Sequence, residues 1–162
     1  MERIKKEEKN NNLINEERMN VMSTGPSLRK TDSHSAIHEA ALHEAKELRN
    51  LFRKCIDQGD KEKALQVAEI AIDHWESRTL KHADSEEEGL YKEIIEQNPK
   101  LEKLVNQLTR DHDLMRRIVA TMKKSLETQE ADHRMIPLLD SLIIIDEIHN
   151  DDEMNKLLAT NE

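Results

Sequence analysis

Residues 101–126 read LEKLVNQLTRDHDLMRRIVATMKKSL. Leu101, Leu104, Leu108, Met115, Val119, Met122 and Leu126 recur in steps of three, four and seven, the repeat of an α-helix with one apolar face. No glycine or proline interrupts the segment. The one polar residue on the face is His112, between Leu108 and Met115. An imidazole among leucines and methionines needs a partner, because an unpaired polar group is costly to bury.

Working outward, the spacing predicts three more helices. The first starts near the capping run Thr31-Asp32-Ser33, stops before Gly59 and carries Ile37, Ala41, Ala45, Leu48, Phe52 and Cys55. The second follows Asp60, ends at Asn98-Pro99 and carries Leu65, Ala68, Ile72, Trp75, Thr79, Leu90 and Ile94. A polar link, Thr128 to Arg134, leads to Pro137 and a fourth helix with Leu138, Leu142, Ile145 and Leu157. Four long helices with short links predict an all-α, up-down-up-down four-helix bundle over residues 32–162. Residues 1–31 lack a stripe, contain Asn10-Asn11-Asn12 and the breaker Gly25-Pro26, and read as a flexible polar N-terminal arm.

Composition narrows the function. The 162 residues include one Phe, one Trp, one Tyr, three Gly and three Pro, too few for a β-sandwich or barrel. Net charge is −9, and the acidic residues concentrate in the bundle, so no nucleic-acid partner is expected. Cys55 is the only cysteine, which excludes an internal disulfide. The longest aliphatic run is Leu142-Ile143-Ile144-Ile145 and the first ten residues are highly charged, so a cytoplasmic protein without a membrane partner is expected. No phosphate loop, nucleophile elbow or catalytic triad is visible.

Extending each stripe shows which of the eight histidines face inward. His112 has Met115, Val119, Met122 and Leu126 at +3, +7, +10 and +14; His38 has Ala41, Ala45, Leu48 and Phe52 at the same offsets. The stripe of the second helix reaches His82 and then Glu86, and that of the fourth reaches His149 and then Glu153. Both are His-x-x-x-Glu, which stacks imidazole and carboxylate one turn apart. Counted from the first turn, His38 lies 20.5 residues before and His82 lies 23.5 after. That mismatch is about one helical turn, or ~4.5 Å. His112 and His149 lie at nearly equal distances from the second turn. His34, one turn before His38, competes with it, and His74 flanks the second stripe as a further candidate. His43 and His133 are expected at the surface, Glu87 and Glu88 solvated, and Tyr91 and Trp75 in packing roles.

Two glutamates aimed into a bundle need neutralising. With His38, His82, His112 and His149 they form a mixed nitrogen and oxygen set suited to iron, manganese or zinc. Two bridging carboxylates and two imidazoles per ion would leave room for a bridging oxide or hydroxide and an open position on one ion.

Four segments carry a resemblance: Ala36-Ile37-His38-Glu39, residues 81–91 (KHADSEEEGLY), residues 110–116 (RDHDLMR) and residues 148–153 (IHNDDE). Over about residues 32–160 the chain resembles the bacterial hemerythrin-like family, the HHE cation-binding domain. The resemblance implies a four-helix bundle with a non-haem diiron centre, oxo- or hydroxo-bridged. It further implies binding or sensing of O₂, NO or peroxide, or handling of iron under oxidative or nitrosative stress. The oxygen-carrying members have a second histidine where this chain has Arg116, and an aspartate where it has Met154, with Glu153 as the replacement. Reversible O₂ carriage is disfavoured by that difference. The alternatives are a diiron oxidase or peroxidase-like enzyme, a structural zinc site, and a metal-free helical interaction module.

Overall fold

A computed structural model describes residues 31–160, and every regular element among them is helical. Helix α1 is Thr31–Asp57. Helix α2 runs over 61–97, α3 is Glu102–Glu127, and α4 runs over 135–158. A short 3₁₀ turn, Pro99–Leu101, leads into α3. The predicted arm lies, but for Thr31, outside the described residues.

The links are tight. Gly59, at φ +69°, closes α1, and the next residue, Asp60, caps α2 by accepting the Lys63 N–H at 3.1 Å. Helix α1 packs on α2 and α4, and α3 packs on α4 and α2, as antiparallel neighbours must in an up-down-up-down bundle.

Two rods are not uniform α-helix. Helix α2 widens into π-type turns at Trp75–Leu80 and Glu86–Leu90, and α4 does so at Glu153–Leu158. Such a turn holds an extra residue and shifts the face presented by everything after it. Two of the three begin at the glutamates of the His-x-x-x-Glu pairs.

The core is split. One apolar cluster holds Phe52, Trp75, Leu80, Met115, Leu142 and Ile143 among others. A second holds Leu90, Tyr91, Ile94, Leu108, Leu157 and Leu158. Apart from His74 and Thr79, the buried polar residues of α2, α3 and α4 fall between the clusters: His82 and Glu86, then His112, then Asp146, His149 and Glu153. The site is a polar layer sealed on two sides by hydrocarbon.

Helix α4 departs from the predicted boundary and face. It starts at Met135, with Pro137 inside its first turn, where a missing N–H breaks no intrahelical bond. Leu139, Leu142, Ile143 and Asp146 are buried, whereas Leu138 and Ile145 are only half-buried. The run is apolar nearly all round, so periodicity does not select its inner face. No helix among the described residues is long and apolar enough to cross a membrane.

Candidate metal centre

Seven buried side chains from four helices meet in the polar layer. Helix α1 supplies His34 and His38, α2 His82 and Glu86, α3 His112, and α4 His149 and Glu153. The structure therefore brings together all six residues singled out in the sequence and adds His34, which joins His38 rather than replacing it. His74 stays apart: its Nε2 donates to the Ala41 carbonyl at 2.9 Å, tying α2 to α1.

Glu86 lies at the centre. Its Oε1 is 2.8 Å from His82 Nε2, 2.9 Å from His34 Nε2 and 3.6 Å from His38 Nε2. Its Oε2 faces the other way, 3.3 Å from His112 Nε2. Glu153 is used differently. Its Oε2 accepts from His34 at 2.7 Å and from His38 at 2.9 Å, and lies 3.9 Å from His149 Nε2. Its Oε1 accepts the Tyr91 O–H at 2.6 Å. The two carboxylates are placed differently: Glu86 turns separate oxygens to the two imidazole groups, whereas Glu153 turns Oε2 to the imidazoles and Oε1 to Tyr91.

The donor atoms fit a cation better than they fit one another. Both Glu86 oxygens and both His82 nitrogens are buried without a hydrogen bond, although His82 Nε2 and Glu86 Oε1 are in close contact. The two Nε2 atoms of His112 and His149 approach to 3.1 Å. Lone pairs aimed at a shared point, not at each other's protons, are what a metal site presents. Two groups satisfy that condition: His34, His38, His82 and Glu86, and then Glu86, His112 and His149, with donor atoms in each within 4.8 Å of one another.

Charge follows the same plan. Burial would raise Glu86, but His82, His112, His34 and His38 outweigh it and hold the carboxyl well below its usual range. Glu153 is held down to about 2: burial and Glu86 push it up, and His34 and His38 prevail. Burial would lower the imidazoles. Glu153 and Glu86 instead raise His34 to about 9 and His38 to about 10, and Glu86 and Glu87 raise His112 to about 9. Metal would have to displace these protons.

The family model of the hemerythrin HHE cation binding domain matches residues 30–160. The chain belongs to this family. Neither a curated protein nor a solved structure matches it. A cation-binding domain and a buried cluster of imidazoles and carboxylates together mark a metal-binding protein.

Around this HHE site sit residues that the sequence reading placed elsewhere. Glu87 is not simply solvated: it is about one quarter exposed and accepts from His112 Nδ1 at 2.7 Å. Arg116 steadies it at 3.0 Å while also reaching Asp84 at 2.7 Å and Asp113 at 3.1 Å. A carboxylate on the outer nitrogen fixes the ring and turns Nε2 inward. Tyr91 does more than pack, since its O–H holds Glu153. Asp146 is 1 % exposed with an unpartnered Oδ1, and burial raises its carboxyl. It stands three residues before His149 on the same face, a spacing visible in the sequence once α4 is correctly phased.

Proposed function

We propose that this is a non-haem diiron protein that binds or senses a diatomic gas or peroxide, or handles iron, under oxidative or nitrosative stress. The observation that carries this reading is the division of Glu86, Oε1 toward three imidazoles and Oε2 toward the other side. His34, His38, His82 and Glu86, with Oε2 of Glu153, would hold one ion. Glu86, His112 and His149 would hold the other. Five imidazoles and carboxylate oxygens without a thiolate suit iron, with manganese or zinc as the competitors.

When bound, iron would supply a redox-active centre able to take a small ligand. The chain's own residues do the rest. The two apolar clusters exclude bulk water and limit the ligand to a small molecule. Glu87 orients His112, and Tyr91 orients Glu153. Only three side chains converge in the second group, which favours an open position there.

The test is elemental analysis of protein produced with ample iron. Two irons per chain and a near-ultraviolet charge-transfer band lost in His82→Ala support the proposal. Stoichiometric zinc, or no metal at all, refutes it. Sustained turnover of peroxide would redefine the protein as an enzyme.

A further inference from the structure

Two buried oxygens on one side of the metal layer have no partner. Thr79 stands three residues before His82 on α2, and Asp146 three before His149 on α4, and Thr79 Oγ1 and Asp146 Oδ1 meet no hydrogen-bonding group. Both lie on the border with the larger apolar cluster, which includes Trp75 and Leu80 of α2 and Leu142 and Ile143 of α4. The opposite border is settled, because the Tyr91 hydroxyl there donates to Glu153. Asp146 is the more demanding of the two. It is 1 % exposed, and an ionised carboxylate so buried, with an oxygen that meets no donor, is the less stable form. Burial accordingly raises its carboxyl, and the charges that act on it, those of His38, His149, Glu86 and His112, come one from each helix. Asp146 therefore stands inside the bundle, one turn from His149, as a neutral acid whose O–H is unused.

We propose that Asp146 is a ligand-binding residue, whose O–H donates to a compact anion taken up by the two metal ions on the side of the larger apolar cluster. The inference rests on the two-ion reading above and deepens it by naming the chemistry of the ligand. An anion that enters a layer sealed by hydrocarbon gives up its hydration. The ions neutralise its charge, but its remaining lone pairs still need a donor. A carboxylic acid supplies one without adding charge. An apolar diatomic molecule has no use for such a group, and an aliphatic side chain at this position would serve it better.

The experiment compares wild type, Asp146→Asn and Asp146→Val, all iron-loaded and oxidised, with azide as the probe. Iron content is measured first, then azide affinity from the charge-transfer band it produces. The expected result is two irons per chain in all three. Azide should bind about tenfold or more weakly to Asp146→Val, and within about threefold of wild type to Asp146→Asn, whose amide still donates. Metal-free Asp146→Val should melt no lower than wild type, since it removes a buried carboxyl that has no partner. A lower melt of both variants with azide affinity unchanged would mark a structural brace and overturn the inference.

Two irons with unchanged azide affinity in Asp146→Val would overturn the inference and leave the diiron reading intact. So would tighter azide binding in both variants, the mark of an ionised carboxylate that repels the probe. A wild type that holds a single ion or another metal overturns the diiron reading alone, and the same comparison on that form, read from the azide stretch in the infrared, decides the inference. Protein that takes up no metal overturns both. If the variants do not load, infrared difference spectra of the loaded wild type decide. The carbonyl band of a protonated carboxyl, absent from metal-free Asp146→Asn, shifts on addition of azide if the contact exists, and an unshifted band refutes it.

Discussion

The two sides of Glu86 are built on different principles. On the α1 side three imidazoles crowd one oxygen, and Oε2 of Glu153 adds a second acceptor. Charge balance is achieved inside the layer. On the α3–α4 side only two imidazoles face inward, and the compensating carboxylates stand outside: Glu87 at 2.7 Å from His112 Nδ1, and Asp111 at 3.6 Å from His149 Nδ1. The first side is saturated by donors within the layer. The second is held in shape from its periphery and is left short of donors. On the two-ion proposal, the first position would retain its ion and the second would be the one open to a ligand.

Removing Glu86 tests what the two sides share and should have the largest effect. Glu86→Ala takes a donor from both groups and leaves several imidazoles facing a cavity, so on the proposed two-iron reading the iron content should fall from two per chain to well under one. His112→Ala should be next. It leaves the second group with one imidazole and one carboxylate, and iron should drop to about one per chain. His34→Ala removes one of three imidazoles and should retain both ions with weaker affinity. Equal losses in His112→Ala and His34→Ala would break the contrast.

Acidity offers an intermediate test in the metal-free protein. His34 and His112 are raised to about 9 and His38 to about 10, from an ordinary 6.5. Folding therefore takes up protons. The associated stability is present in full below pH 6.5 and is lost as pH rises through 9 to 10. On the acid side, Glu153 falls to about 2 from 4.5, so its contribution holds above 4.5 and disappears toward 2. Each imidazole contributes at most on the order of 3 to 5 kcal/mol. Thermal melts should show an alkaline decline without metal. With iron bound the imidazoles are neutral ligands, and the same decline should vanish.

The four rods are readable because their apolar repeats are strong, as in residues 101–126. The two His-x-x-x-Glu pairs are readable because both continue a stripe. What is hidden follows from the widened turns. His34 lies 24.5 residues before the first turn and His38 20.5, against 23.5 for His82. The π-type turn at Trp75–Leu80 takes up about one of those residues, which sets His82 midway between the two histidines. Its ring is accordingly 5.0 Å from that of His34 and 4.8 Å from that of His38. Regular helical counting must choose between them, whereas the widened helix accommodates both. Asp146 is hidden for another reason: it follows an all-round apolar run that gives the face no phase. Glu87, like Glu88, looks like a solvated acid until α3 is packed against it.

The smallest expected effect concerns those outer supports. Glu87→Gln keeps the shape and an acceptor oxygen but removes the charge opposite His112 Nδ1 and Arg116. Burial alone would raise the Glu87 carboxyl, yet His112 and Arg116 lower it, so the pair is an ion pair at neutral pH. Being partly exposed, it should change stability by less than about 1 kcal/mol. Its effect on the metal should be larger than its effect on the fold, because a less basic imidazole binds a cation less tightly. Affinity for the second ion should fall by about tenfold, with the first ion unaffected. Titrating metal-free protein with zinc would resolve the two events. A weaker first event would mean that the outer carboxylates serve the whole layer, and the division at Glu86 would no longer separate two kinds of site.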